Sequence, residues 1–340
     1  MNSLAPINRQ ITLASRPVGY PSLSDFRLVY APLSSPAAGE VLVRSIYLSL
    51  DPYIRVQMNQ NGSDGGSVRL GEVMPGGAAA FVVESGDPAF RAGDAVEGML
   101  GWQEYAIVPA HALRKLEPGL SPISLALGAL GLPGLTAYFG LLEICRPQRG
   151  ETVVVSGAAG AVGMLAGQIA RINGCRVVGL ANADAELTWL RDELGFDAVS
   201  NYGSDPDFDA RLAELCPEGI DVYFDNVGGA LSDAVMRRIN VKARISVCGQ
   251  ISEYNLEAPE TGPRWLGHLL ARTAKVEGFL VSDFADRFSE GRKQLDTWLK
   301  QGKLRYREAV AQGIEAAPQA FIGMLHGTNQ GKQLVQLGDF

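Results

Sequence analysis

Two patterns of hydrophobic and polar positions divide the chain. Before about residue 125, short apolar runs recur at 26–30, 40–46, 78–84 and 102–108. Pro- and Gly-containing segments separate these runs, and short apolar runs bounded by turns predict β-strands. The front of the chain is therefore predicted to be β-rich.

From residue 151 onward, apolar strands alternate with helical patterns. Strands are predicted at 152–156, 176–180, 222–225, 243–248 and 276–281, and helices at 163–172, 187–193, 232–239 and 287–301. A helix at 317–325 and a strand at 333–337 close the chain. Wholly apolar strands that alternate with helices form a parallel sheet covered on both faces. The sequence therefore predicts an α/β fold with a β-rich domain and a doubly wound parallel-sheet domain.

Length, charge and cysteine content exclude several classes of protein. The chain has 340 residues and is 46% hydrophobic, which is enough for two domains with separate cores. Its formal net charge of −7 argues against a nucleic-acid binder, which carries a basic excess. We expect no membrane span, because no run of about 18 apolar residues occurs, and no secretory signal at the N-terminus. The scattered cysteines indicate reduced thiols and a cytoplasmic location; they are Cys145, Cys175, Cys216 and Cys248.

A glycine-rich loop follows the first strand of the α/β part, with the pattern Ala158-x-Gly160-x-x-Gly163. In such a loop Gly160 lets the backbone approach a pyrophosphate, and Gly163 lets the next helix pack closely on the strand. The N–H groups of Ala161, Val162 and Gly163, at the helix start, then face the phosphates. The strand–loop–helix context favours dinucleotide binding over tight packing in a non-binding domain, although Ala158 replaces the first glycine.

The end of the second strand bears on which nicotinamide cofactor is used. Enzymes that use NAD usually carry Asp or Glu there, which binds the ribose hydroxyl. Here the strand end reads Gly179, Leu180, Ala181 and Asn182, without an acidic residue. The missing acid favours the phosphorylated cofactor, and Asn182 is a candidate contact.

Residues for metal or nucleophilic catalysis are sparse. A catalytic zinc site needs about three Cys, His or carboxylate ligands around an open position. The histidines are His111, His268 and His326, and none has a Cys or His partner at ligand spacing. The chain also lacks the Gly-x-Ser-x-Gly elbow of serine hydrolases. We therefore predict no metal site and no serine nucleophile.

Seven motifs in order along the chain carry a resemblance to a known family. They are LSLDPYIR (48–55), GLPGLTAY (131–138), GAAGAVG (157–163), FDNVGG (224–229), CGQISEYN (248–255), EGFLV (277–281) and GTNQGK (327–332). With these motifs the chain resembles the zinc-independent branch of the medium-chain dehydrogenase/reductases. That branch contains prostaglandin and leukotriene reductases and alkenal double-bond reductases.

The resemblance implies a GroES-like catalytic domain formed by residues 1–125 and 307–340, and a Rossmann cofactor domain at 126–306. It places the active site in the crevice between the two domains, a common location for ligand sites. The implied activity is reduction of the C=C bond of an α,β-unsaturated ketone or aldehyde, a small conjugated carbonyl substrate, by hydride from NAD(P)H. The family also implies a homodimer.

The same resemblance assigns cofactor contacts residue by residue. The loop at 160–163 corresponds to the pyrophosphate site, and Tyr202 to a position near the adenosine ribose and its phosphate. The other expected contacts are Asn226, Cys248, Gly249, Gln250, Ile251, Ser252, Tyr254, Phe279, Leu280, Val281 and Asn329. An alternative role for Asn226 is structural, as a helix cap or in the turn of Gly228 and Gly229.

One position departs from the family pattern. The family carries a lysine just after the second strand, where it pairs with the 2′-phosphate, and this chain has Glu186. A carboxylate that points at the phosphate repels it. We expect NADPH as the cofactor, while Glu186 leaves NADH possible and Arg191 is a candidate for compensation.

Two tyrosines are candidates for the chemical step. Hydride transfer to the β-carbon leaves negative charge on the substrate carbonyl oxygen, and a hydrogen-bond donor there lowers the barrier. By resemblance Tyr254 is the first candidate donor and Tyr53 the second. The alternatives are that Tyr254 contacts only the cofactor and that Tyr53 only packs.

Two other functions suit the same residues. One is a quinone reductase of the same superfamily, and the other is a non-catalytic NADPH-binding sensor. Cofactor oxidation with enones and with quinones separates the three hypotheses.

Overall fold

The computed structural model describes residues 7–60, 66–205 and 207–338. The first six residues, which bear on the predicted absence of a secretory signal, lie outside this part. The described residues form two compact units. The first unit takes them from Met1–Leu127, Glu308–Asn329 and Gln333–Phe340, and the second comprises Gly128–Arg307 and Gln330–Lys332. None of the described helices is long and apolar enough to cross a membrane.

The regular elements have the following bounds. The strands are β1 (Ile7–Leu13), β2 (Phe26–Pro32), β3 (Glu40–Ser49), β4 (Gly77–Ser85), β5 (Ala95–Met99), β6 (Tyr105–Pro109), β7 (Arg114–Lys115), β8 (Thr152–Ser156), β9 (Arg176–Ala181), β10 (Ala198–Asn201), β11 (Ile220–Asp225), β12 (Ile239–Val247), β13 (Lys275–Gly278), β14 (Glu308–Gln312) and β15 (Lys332–Gln336). The α-helices are α1 (Tyr53–Gln57), α2 (Leu132–Phe139), α3 (Gly163–Ile172), α4 (Asp184–Asp192), α5 (Phe208–Leu215), α6 (Gly229–Met236), α7 (Leu266–Arg272), α8 (Phe288–Lys300) and α9 (Ala317–Leu325).

The first unit is built on an antiparallel sheet. Its strand order is β14-β15-β3-β4-β5-β7, with β6 also paired to β3, and β1 and β2 form a separate antiparallel ribbon. The closing segment of the chain supplies β14, α9 and β15, so both ends of the sequence build this unit. Trp102 and Phe321, from these two ends, pack edge to face with ring centroids 5.4 Å apart.

The second unit contains a six-stranded sheet in the order β10-β9-β8-β11-β12-β13, in which every neighbouring pair is parallel. Every residue of β8 is buried, because helices cover both faces of a doubly wound sheet. The strand order reverses between β8 and β11, and in such folds ligands bind at the carboxyl ends of the strands flanking this point. The predicted fold class is confirmed.

Most predicted elements differ from the structure in their bounds by one to four residues, and two of the differences have a local cause. The predicted strand 276–281 ends at Gly278, because the Asp283 carboxylate accepts the Leu280 N–H at 3.0 Å and begins a helical turn. The predicted helix 232–239 spans Gly229–Met236 instead. It begins directly after a turn that the Asp225 carboxylate fixes by accepting the Gly228 N–H at 3.0 Å.

Candidate active site

The glycine loop joins β8 to α3 and is held in a tight shape. Gly157 has φ of +57°, and its carbonyl accepts the Gly160 N–H at 3.0 Å. A Cβ on Gly163 would lie 2.2 Å from that carbonyl oxygen, so only glycine fits. The Gly331 N–H donates to the Ala159 carbonyl at 3.1 Å and fastens the loop from the far end of the sequence.

The loop has the features of a phosphate-binding site. Gly160 forms a parallel bridge with Gly331, and among the described residues none accepts a hydrogen bond from the N–H groups of Val162 or Gly163. These groups lie at the N-terminal end of α3, where the helix dipole favours negative charge. A Cβ on Gly160 would lie 3.2 Å from the Gly157 oxygen, so the absence of a side chain leaves the backbone open. The residues present therefore fit a pyrophosphate.

Asp225, at the end of β11, organises the neighbouring loops. It is 3% exposed, and six donors serve its carboxylate: the hydroxyls of Ser156, Tyr223 and Ser232, the N–H groups of Val227 and Gly228, and the Gln250 amide. These bonds span 2.7–3.1 Å. A buried carboxylate needs this many partners in place of water. Sequence reasoning missed this residue, because its donors are spread from 156 to 250.

Asn226 follows directly and is fixed by Ser156. Its N–H donates to the Ser156 hydroxyl at 2.9 Å, and its side-chain amide donates to the Ser156 carbonyl at 2.7 Å. Asp225, rather than Asn226, accepts the N–H groups before α6, so Asn226 does not cap that helix. The side chain is half-buried at the end of β11, beside the switch point of the sheet.

The loop after β12 rests on the turn after β11. The Cys248 and Gly249 N–H groups donate to the Asp225 carbonyl at 2.8 and 3.1 Å. Ser252 donates through both its N–H and its hydroxyl to the Val227 carbonyl. A Cβ on Gly228 would lie 2.2 Å from the Gln250 side chain, so this close contact requires glycine. These hydrogen bonds, with that of the Ile251 N–H to the Asn226 carbonyl at 3.4 Å, bring together the predicted contacts Asn226, Cys248, Gly249, Gln250, Ile251 and Ser252.

Tyr254 turns back onto this loop. Its hydroxyl accepts the Gln250 N–H at 3.2 Å, which leaves its own proton free to donate elsewhere. Burial raises the pKa of Tyr254 above its ordinary value of 10.0. Burial also raises the pKa of the Cys248 thiol to about 12, with a contribution from Asp225. Near neutral pH, Tyr254 is therefore a neutral donor and Cys248 is an unreactive thiol.

Residues 279–281 follow the end of β13. Phe279 packs against Gly140, where an added Cβ would lie 2.3 Å from the ring. Leu280 is 58% exposed, and Val281 begins the helical turn Val281–Arg287. The three predicted contacts lie at the carboxyl end of a strand next to β12, so their backbone is on the same edge of the sheet as Tyr254.

The residues predicted near the adenosine lie at the end of β9. Asn182 is exposed there, and the Tyr202 N–H donates to the Ala181 carbonyl at 3.0 Å. Glu186 lies in the first turn of α4 and is only 5% exposed. Burial raises the pKa of the Glu186 carboxyl, the positive charge of Arg307 partly opposes this effect, and the resulting pKa is about 7. Glu186 is therefore largely removed from solvent and is partly protonated near neutral pH.

Two predicted site residues belong to the first unit. Tyr53 begins α1 directly after Asp51 and Pro52, and it packs against the core around Trp102. Burial raises the pKa of Tyr53, and Asp51 adds to the effect, so its hydroxyl stays protonated. Asn329 lies in the bend between α9 and β15 and is half-buried.

The described residues contain no group of three His, Cys, Asp or Glu side chains able to hold a metal ion. Of the histidines, His326 stacks on Tyr20 with ring centroids 4.2 Å apart, and His268 packs against Trp265. These positions give the two histidines a packing role.

Comparison with known proteins identifies the family. Residues 9–116 match a family model described as the N-terminal domain of oxidoreductase, and residues 161–297 match one described as zinc-binding dehydrogenase. The NADPH-dependent curcumin reductase of Escherichia coli is 44% identical over 335 residues, which cover 97% of each chain. The 2-alkenal reductase (NADP(+)-dependent) of Nicotiana tabacum is 43% identical over 335 residues, again 97% of each chain.

A solved structure agrees in fold along the whole length. CurA from Vibrio vulnificus, crystallised in complex with NADPH, matches with a TM-score of 0.93 and 44% identity. The match covers 98% of this chain and 100% of that chain. The chain belongs to the zinc-independent branch of the medium-chain dehydrogenase/reductase family.

Proposed function

We propose that the chain is an NADPH-dependent reductase of the C=C bond in α,β-unsaturated ketones and aldehydes. The observation that carries this proposal is a neutral tyrosine hydroxyl, that of Tyr254, at the sheet edge that also carries the phosphate-binding loop. The names of two relatives, a curcumin reductase and a 2-alkenal reductase, support the same chemistry, and both names specify NADPH or NADP.

The protein's part in the reaction is orientation and charge stabilisation. When bound, NADPH would supply the hydride for the β-carbon of the conjugated substrate. Negative charge then collects on the substrate carbonyl oxygen, and the Tyr254 hydroxyl donates a hydrogen bond to it. A proton from solvent at the α-carbon completes the saturated carbonyl product. The Gln250 N–H bond to the hydroxyl oxygen orients this donor and leaves its proton available.

We further propose that the chain has two domains with different roles. The cofactor domain is residues 126–306, with contacts from the residues predicted above, and the catalytic domain is 1–125 and 307–340. The two compact units support this division.

We also propose a cytoplasmic location, because all four cysteines are free and three of them are buried.

A cofactor-oxidation assay tests the activity. Purified chain is mixed with NADPH and either an enal, an enone or a quinone, with and without a strong chelator. Turnover with enals and enones that survives the chelator is expected. Preference for quinones indicates a quinone reductase, and binding of NADPH without turnover on any compound indicates a sensor.

We propose that two copies of the chain pair through β13 and α7. Within the described residues β13 is the last strand of its sheet, so its outer edge lacks a strand partner. Leu266 and Leu270 on α7 are 83% and 79% exposed, and Val276 on β13 is 43% exposed. An apolar surface beside an open strand edge is stabilised when a second copy covers it. Sedimentation equilibrium should give the mass of two chains, and a concentration-independent monomer contradicts this proposal.

A further inference from the structure

The adenosine end of the proposed cofactor site contains an arrangement of charges that the family pattern does not explain. In a doubly wound fold, the adenosine ribose lies at the end of the second strand, here β9. The Tyr202 N–H is hydrogen-bonded to the end of β9, and the first turn of α4 comes directly after β9 in the chain. The inference below rests on the proposed use of NADPH.

Arg307 lies next to both parts of this site. Gly331 donates to the glycine loop at Ala159, and a Cβ on Gly331 would lie 2.1 Å from the Arg307 carbonyl oxygen. The backbone of Arg307 therefore contacts Gly331, which is hydrogen-bonded to the glycine loop. Its guanidinium stacks on the ring of Trp189 in α4, 4.2 Å from the centroid. The side chain thus connects the loop region to α4.

The guanidinium of Arg307 is held in place, and no carboxylate among the described residues forms a close ion pair with it. It donates to the Gln330 side chain at 2.8 Å, a neutral partner. The Trp189 ring attracts the cation but carries no net charge, so the stacking fixes the guanidinium plane without neutralising it. A planar guanidinium that is oriented in this way is suited to a phosphate monoester, which it binds through two parallel hydrogen bonds.

Glu186 moderates this positive charge. The positive charge of Arg307 lowers the pKa of the Glu186 carboxyl, which burial raises. Tyr202 is close enough to be affected as well, because burial and the charge of Glu186 raise its pKa to about 12. Charged groups on α4 and next to Arg307 have partners of their own, and Arg191 pairs with Asp192 at 2.7 Å. Asp184 accepts from Asn201 at 2.9 Å, and Arg305 pairs with Glu193 at 2.5 Å.

We propose that Arg307, stacked on Trp189 and opposed by buried Glu186, recognises the 2′-phosphate of NADPH and determines the preference for NADPH over NADH. Glu186 takes the position of the family lysine, but it is shielded from solvent and partly protonated near neutral pH. Its repulsion of the phosphate is therefore weaker than that of an exposed carboxylate. Arg307 supplies the positive charge that this position has lost.

Binding of two small nucleotides tests the proposal without any turnover. Adenosine 2′,5′-bisphosphate and AMP differ in the 2′-phosphate, so the ratio of their Kd values isolates its contribution. In Arg307→Gln the affinity for the bisphosphate should fall roughly 10- to 100-fold, with AMP affinity much less affected, because a charge-assisted bond is lost. Arg305→Gln, two residues away, is the matched control and should retain the wild-type ratio. An unchanged ratio in Arg307→Gln, or an equal loss for both nucleotides, overturns the proposal.

The pH dependence provides a second, independent measurement. As pH rises through about 7, Glu186 loses its proton, so its negative charge offsets Arg307 and the affinity for the bisphosphate falls. The phosphate itself titrates near about pH 6, so the comparison is with Glu186→Gln, which has no such carboxyl. Above about pH 8 the wild type should bind the bisphosphate about 3- to 10-fold more weakly than Glu186→Gln, with no difference for AMP. Equal affinities in the two proteins at every pH contradict the proposal, and this comparison decides alone if Arg307→Gln does not fold.

Steady-state kinetics distinguish failure of this inference from failure of the proposed function. If wild-type chain reduces enones with NADPH but Arg307→Gln keeps the same ratio of kcat/KM for NADPH and NADH, the inference fails and the function stands. If the wild type reduces no enone with either cofactor, the proposed function fails.

Discussion

Replacing Tyr254 with phenylalanine is expected to lower kcat for enone reduction by about 100- to 1,000-fold, the typical cost of removing one preorganised donor to a developing oxyanion. The lost group is the hydroxyl that is held by the Gln250 N–H and kept neutral by burial. The affinity for NADPH should change by less than about threefold, because the ring remains and the lost backbone hydrogen bond is a weak one. Stopped-flow kinetics and a direct binding titration measure the two quantities separately.

The comparison variant for this prediction is Tyr53→Phe. Tyr53 is also a neutral, buried tyrosine, so the two substitutions remove the same group from two different units. A large loss of kcat in Tyr53→Phe with full turnover in Tyr254→Phe assigns the donor to Tyr53 and makes the proposal for Tyr254 wrong. A loss of NADPH affinity in Tyr254→Phe, with kcat unchanged, leaves Tyr254 as a cofactor contact only.

Asp225→Asn is expected to destabilise the chain by about 3–5 kcal/mol, because several buried donors lose their acceptor. In the asparagine variant an NH2 group, which is itself a donor, replaces one carboxylate oxygen. In one orientation this NH2 group faces the Ser232 hydroxyl and the Gln250 amide, and in the other it faces the four donors to the second oxygen. Denaturant unfolding measures the loss. NADPH affinity should fall as well, since the loops after β11 and β12 depend on this residue.

Asp221→Asn is the matched control, at the opposite end of β11. Asp221 is half-buried and accepts from the Thr152 N–H at 2.9 Å and from the Asn240 amide at 2.8 Å. With two donors instead of six, its replacement should cost about 1–2 kcal/mol and leave NADPH affinity intact. Similar losses in the two variants would show that Asp225 has no special organising role.

The local elements of the cofactor domain were predictable because their patterns are short-range. The strand 152–156 and the helix 163–172 have the predicted bounds, since a continuous apolar run marks a doubly covered strand and Gly163 marks the helix start. The error at residues 279–281 came from one side chain. Asp283 accepts the Leu280 N–H and turns an apolar run that resembles a strand into a helical turn.

The candidate site was only partly predictable, because its residues are supported by contacts distant in sequence. The motifs located the glycine loop and the segment 248–254, and which of these residues contact cofactor stays a prediction. No local pattern connects Asp225 to Ser156, or Gly331 to Ala159. Gly331, in the motif at 327–332, was the sequence signal that could have indicated the contact with Ala159. The role of Arg307 depends on its stacking with Trp189, more than a hundred residues earlier, which only the folded chain shows.

Transfer of a labelled hydride tests the central claim most directly. NADPH carrying deuterium at the transferable position of its nicotinamide ring is incubated with the chain and an α,β-unsaturated ketone, and the product is examined by NMR. The proposed function predicts a saturated ketone with deuterium at the former β-carbon and an intact carbonyl group. Deuterium on the carbonyl carbon of an unsaturated alcohol, or an unreacted enone beside bound NADPH, would contradict it.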